Sequence, residues 1–191
     1  MMNDIPIDEL EKRMRPHVYS IKGFLGLAES LETVLRQDKS TLQQLGISYE
    51  QLSTELSKVL LDATAQRDNL LKTNSQEYAE RDRSLINWEG TSIFSADNLP
   101  STKTGFIVNN KYQVFFHQWR GFQECPWNCI MDIDWNSFDF ILLNRESGNY
   151  IKAPGLIAHL IQEHHFFEGI ESPYRVDPIK LATVLELISF K

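Results

Sequence analysis

Residues 138–177 constrain the fold of this chain more than any other stretch. Phe138-Asp-Phe-Ile-Leu-Leu143 is an apolar run of strand length, residues 144–149 form a polar turn, and Tyr150-Ile-Lys-Ala153 resumes the extended pattern. Two such runs around a polar segment read as a β-hairpin. Pro154-Gly155 then opens a helix over 155–167, with Leu156, Leu160, Ile161 and His164 on its inward face and Gly169 as the stop beyond it. Asp177-Pro178 begins a last helix, since a carboxylate can cap the first turn and proline loses nothing at the first position. Leu181, Val184, Leu185 and Ile188 should face inward from it.

The hairpin needs neighbours, and the sequence supplies them just upstream. Phe106-Ile107-Val108, a turn at Asn109-Asn110 and the run 112–119 read as two more strands. Tyr112, Val114 and Phe116 alternate with Phe115, His117 and Trp119, so both faces of this sheet should be covered. One face is expected to meet the C-terminal helices and the other the N-terminal helical region. Residues 120–136 are irregular, with Trp127 and Trp135 as anchors.

The N-terminal half reads as helical. Leu10, Met14, His17, Ile21, Phe24, Ala28, Leu31 and Leu35 step by threes and fours, predicting a helix over 8–36 with a kink or first-turn position at Pro16. Asp38-Lys39-Ser40 breaks that pattern, and 41–45 adds one short turn closed by Gly46. Ser48 and Gln51 form a capping box for a second long helix, which should break at Asn74-Ser75 or run on through Tyr78 and Leu85. Two long helices joined this closely should lie antiparallel. The Leu42–Leu52 stretch imitates a helix-turn-helix, but Glu50 and Glu55 stand where phosphates would have to sit.

Charge points the same way. The chain carries −7, divided as −4 up to Thr104 and −3 beyond it, so neither half offers the positive footprint that nucleic acid or an anionic membrane requires. No apolar stretch approaches the ~20 residues of a membrane span. Acidic residues precede any apolar run near the N-terminus, and two cysteines make no secreted disulfide framework, so a reducing cytoplasm is expected.

Three groups of residues offer chemistry. Cys125 and Cys129 with His117 and the histidines at 159, 164 and 165 contain zinc-ligand types, although three residues separate the cysteines and no second cysteine pair accompanies them. On a regular helix, His159 and His164 point roughly 140° apart, so they are expected not to converge. A thiol nucleophile at either cysteine would need His117 or His159 as base, with Asp132, Asp134 or Asp139 behind it. Glu163, Glu168 and Glu171 crowd a helix end, and Arg175 is the natural compensating cation. Separately, Trp119-Arg120 before Gly121 joins two residue types favoured as interface anchors.

Together these readings predict an α+β protein: a long-helix hairpin beside a small antiparallel sheet and two C-terminal helices. A helical region over 1–87, a connector over 88–104 and an α+β region over 105–191 should pack as one integrated domain. The expected function is non-enzymatic binding of another protein through Trp119 and Arg120, as a monomer or homodimer without a cofactor. The alternative is a small hydrolase using zinc or thiol chemistry at Cys125, Cys129, His117 and His159.

Overall fold

The computed structural model describes residues 5–74, 76–77, 93–95, 105–118, 121–129 and 137–188. Trp119, Arg120, Asp132, Asp134 and Trp135 lie outside them, as do Tyr78, Leu85 and most of the 88–104 connector. The fold is α+β. Strands β1 (Phe106–Val108), β2 (Tyr112–Gln118), β3 (Phe138–Asn144) and β4 (Tyr150–Pro154) form one antiparallel sheet in the order β1-β2-β3-β4. Asn109 and Asn110 both take positive φ, 51° and 58°, and the Lys111 N–H closes that turn on the Val108 carbonyl. Asparagine is among the few residues that adopt this conformation readily. The 144–149 connection is built around Asn144, whose Oδ1 accepts from the N–H groups of Glu146 and Ser147. Its amide donates across to the Val184 carbonyl, 3.0 Å away, and so ties the hairpin to the last helix.

The N-terminal helix is shorter than its apolar spacing suggests. Helix α1 covers Ile7–Met14, and α2 begins only at Leu31. Pro16 ends α1 because its ring excludes helical geometry from the residue before it, and Arg15 is extended at ψ 155°. The chain then folds back: the Phe24 and Leu25 N–H groups both donate to the Met14 carbonyl, at 2.8 and 3.1 Å. Gly23 makes the reversal possible, with φ 76° and a backbone that a Cβ would bring to 2.7 Å from Pro16 N. Ile21, placed on the inward stripe by its spacing, is 74% exposed as a result.

Helix α2 (Leu31–Leu45) runs straight through the expected break at Asp38. Asp38 is buried, and its two carboxylate oxygens accept from the Arg175 guanidinium at 2.5 and 3.3 Å. A paired acid can occupy a helix interior that an unpaired one would disrupt. Gly46 closes α2 in the left-handed conformation, and α3 (Tyr49–Thr73) starts at the expected capping box and ends at Asn74. Rather than packing chiefly on each other, α3 lies against β1 and the helix α4 (Ile157–His164), while α2 meets the last helix, α5 (Pro178–Val184).

The described helices cover one face of the sheet. Phe116, Phe140 and Leu142 pack into a continuous core with Leu52, Leu56, Leu160 and Leu181. The opposite face carries a small cluster of Phe115, Ile141, Leu143 and Ile93, with Ile93 from a single 3₁₀ turn. N- and C-terminal helices thus share one side, contrary to the expectation of one on each. Helix α4 stops at His164 instead of reaching Phe167. His165 takes φ 56° and stacks on Tyr49 at 4.2 Å, and beyond it Phe166 and Phe167 are buried in the core. Helix α5 begins as its sequence predicts, with Asp177 accepting from the Lys180 N–H at 2.9 Å and Pro178 in the first turn. Among the described residues, no helix is long and apolar enough to cross a membrane.

Candidate metal centre

Cys125 and Cys129 flank a tight turn. The Asn128 N–H donates to the Cys125 carbonyl at 2.8 Å, and Asn128 takes φ 57°. The turn is held from outside: Tyr19 Oη donates to Asn128 Oδ1 at 3.0 Å, and Arg13 Nη1 reaches the Pro126 carbonyl at 3.5 Å. Arg13 on the last turn of α1 and Tyr19 in the segment after Pro16 thus hold the turn that carries the cysteines.

Helix α4 brings the histidines. It is fixed at its start by the Gly155 N–H, which donates to the Phe138 carbonyl, and along its length by burial of Ile157, Leu160 and Ile161. His164 Nε2 lies 3.4 Å from Cys125 Sγ and 3.2 Å from Cys129 Sγ. The His159 ring meets the His164 ring edge-on at 5.1 Å. One ligand atom from each of Cys125, Cys129, His159 and His164 falls within 4.8 Å of every other. The Trp127 indole stacks flat on His164, with centroids 3.9 Å apart and planes 3° from parallel, which leaves the imidazole edge turned to the sulfurs.

The expectation that His159 and His164 stay apart is therefore wrong. The 140° separation describes where the Cβ bonds leave an ideal helix, not where an imidazole ring ends. His164 is also the last residue of α4, with left-handed His165 immediately after it, so its ring swings back over the turn while Trp127 clamps it. Of the histidines considered, His159 joins the cysteines and His164 completes the group. His117 lies on β2 opposite Asp139 and is not a member. Glu168 is enclosed while Glu163 and Glu171 are exposed, so these carboxylates share no open site. Arg175 serves Asp38 and the Glu168 carbonyl.

The electrostatics of the cluster favour neutral groups. Burial pushes the Cys125 thiol up to about 12, with Cys129 adding to the rise and the Trp127 N–H opposing it. Burial, with His159 and His165 nearby, brings His164 down to about 4, and burial also lowers His159. Both imidazoles thus keep a free lone pair at neutral pH. His164 Nε2 faces two thiols with one acceptor site, and His159 Nε2 is buried without a hydrogen-bond partner. A cation satisfies every one of these atoms at once.

The donor set fits zinc. With Zn–S of ~2.3 Å and Zn–N of ~2.0 Å, tetrahedral ligands stand roughly 3.3–3.8 Å apart; the His164–sulfur separations of 3.4 and 3.2 Å already lie near that range, and no pair exceeds 4.8 Å. Thiolate and imidazole without carboxylate select zinc or another soft transition metal over calcium or magnesium. The spacings were an available signal. Three residues between the cysteines and four between the histidines fall inside the roughly two-to-four and three-to-five ranges of structural zinc sites. No protein-family model matches the chain, and neither a curated protein nor a solved structure matches it.

Proposed function

We propose that this chain is a zinc-braced, non-enzymatic binding protein. The observation that carries the reading is the convergence of four ligand atoms, two sulfurs and two imidazole nitrogens, within 4.8 Å. Four protein donors close a tetrahedral shell and leave no position for a substrate or an activated water, as in structural rather than catalytic sites. Zinc here would join the 125–129 turn to the C-terminal end of α4, two elements that the Trp127–His164 stack also links. The hydrolase alternative draws less support. A thiol nucleophile works as thiolate beside imidazolium, whereas burial favours the neutral form of both Cys125 and His164.

The partner-binding half of the reading rests on sequence. Trp119 and Arg120 precede the braced turn by a few residues, and the adjoining Phe122 is 68% exposed. Zinc would restrict the chain that presents them, reducing the ordering cost of association. A cytoplasmic setting would keep the two thiols reduced.

One experiment with two arms tests this. Metal analysis of purified protein should give about one zinc per chain, and cobalt substitution should give the intense visible bands of a tetrahedral thiolate site. His164→Ala should lose stoichiometric zinc while keeping its circular dichroism spectrum. In the second arm, proteins captured from the native host should bind Arg120→Ala ~thirtyfold more weakly, matching the ~2 kcal/mol scale of an anchor residue. Zinc retained by His164→Ala, or turnover abolished by replacing either cysteine, would defeat the reading.

A further inference from the structure

We infer that the same centre is a peroxide-sensitive release switch, in which Cys129 is the sulfur attacked first and Cys125 the one that resolves it. The inference rests on the zinc reading above. It is carried by an asymmetry between two sulfurs that share one nitrogen neighbour. Cys125 is 3% exposed, whereas Cys129 is only partly buried. Both Sγ atoms approach His164 Nε2, at 3.4 and 3.2 Å, so both border the place a metal would occupy. They lie within 4.8 Å of one another, on a five-residue turn whose central residues contribute no zinc ligand.

The chemistry follows from that placement. Metal-bound thiolates stay nucleophilic, and reaction with a hydroperoxide begins at the sulfur that solvent reaches. Cys129 thiolate attacks one peroxide oxygen, the O–O bond breaks, and the departing oxygen leaves as water after taking a proton. Cys129 is then a sulfenic acid. Cys125 thiolate attacks that sulfur, the S–O bond breaks, and the hydroxide leaves as a second water with another proton. Two thiolates, one hydrogen peroxide and two protons thus become one disulfide and two waters, with two electrons passing from sulfur to oxygen. Only His159 and His164 would then remain as donors to a zinc ion, too few to hold it. Trp127, stacked on His164 and lying between the two cysteines in sequence, moves with the turn and reports the change.

Nothing else in the described structure offers so direct a route. Cys125 and Cys129 supply the thiolates, and their separation places the resolving group beside the oxidised one.

The test is a titration of zinc-loaded full-length protein with hydrogen peroxide, following released zinc with a chromogenic chelator, free thiols with a disulfide reagent, and tryptophan fluorescence. One equivalent of peroxide should release about one zinc and remove two thiols per chain, and dithiothreitol with added zinc should restore both. Cys125→Ser should still react at Cys129 but stop at a sulfenic acid trapped by dimedone. Cys129→Ser should react about tenfold more slowly, because its remaining sulfur is buried. Zinc held at several equivalents of peroxide, or release that dithiothreitol does not reverse, overturns the switch while leaving the metal reading intact. Equal rates for the two serine variants overturn the assigned order of attack. A wild-type chain that takes up no zinc before any peroxide is added overturns the metal reading, and the switch falls with it.

Discussion

At the scale of single residues, burial rather than residue type decides what an ionisable group does. Glu168 has no solvent exposure; its Oε2 accepts from Ser172 Oγ at 2.6 Å, and its Oε1 has no hydrogen-bond partner. Burial, with Asp139 on β3 adding to it, pushes this carboxyl up to about 8 against the opposing pull of Ser172 and Arg175. The folded chain therefore holds a proton that the unfolded chain has lost above its ordinary value near 4.5. Stability should fall as pH rises from about 4.5 to 8, each unit of difference corresponding to ~1.4 kcal/mol. Glu168→Gln keeps an acceptor for Ser172 and removes the titration. Melting temperatures should show the variant above the parent at pH 8 and level with it at pH 5; the same gap at both values would contradict this. Little of this was legible beforehand. Glu168 looked like one of several acids at a helix end, because sequence gives no sign that the chain after His165 turns into the core. His164 shows the same limit in reverse: its place on the apolar face was readable, but its reach to the sulfurs depends on a ring orientation set by Trp127.

At the scale of elements, strands were more legible than helices. All four strands stand where short apolar or alternating runs bounded by turn residues put them, β3 as a run buried at every position. Helix spacing misled over residues 8–36, where Pro16 and Gly23 outweigh a well-formed apolar stripe, and over Asp38, whose partner lies far along the chain. Local end signals held up better, since capping needs only near neighbours. The Ser48–Gln51 box is present in both directions, at 3.0 and 2.8 Å. Asp177 caps α5 in the same local manner, so Asp177→Ala should destabilise the protein by about 0.5–2 kcal/mol. Equilibrium denaturation checks this: the midpoint should drop at unchanged slope, and an unmoved midpoint would mean the cap contributes nothing.

At the scale of the whole molecule, the α+β class was readable from strand and helix order, but the sharing of one sheet face by helices from both ends was not. That arrangement depends on pairings between distant residues. The Asp38–Arg175 pair joins α2 to the segment before α5 across 137 positions of sequence. During synthesis this sets a waiting time. At roughly 5–20 residues per second, about 7–27 seconds pass between the appearance of Asp38 and that of Arg175. Through that interval α2 has a carboxylate with no cation to meet it, and burying such a group alone is strongly unfavourable. The N-terminal helices therefore should not settle as an independent unit on the ribosome. Arrested chains ending before Arg175 should be cleaved readily by protease within 31–45, and the full 191-residue chain, arrested on an added C-terminal linker, should resist. Equal resistance in both would mean that α2 docks before its counter-ion has been made.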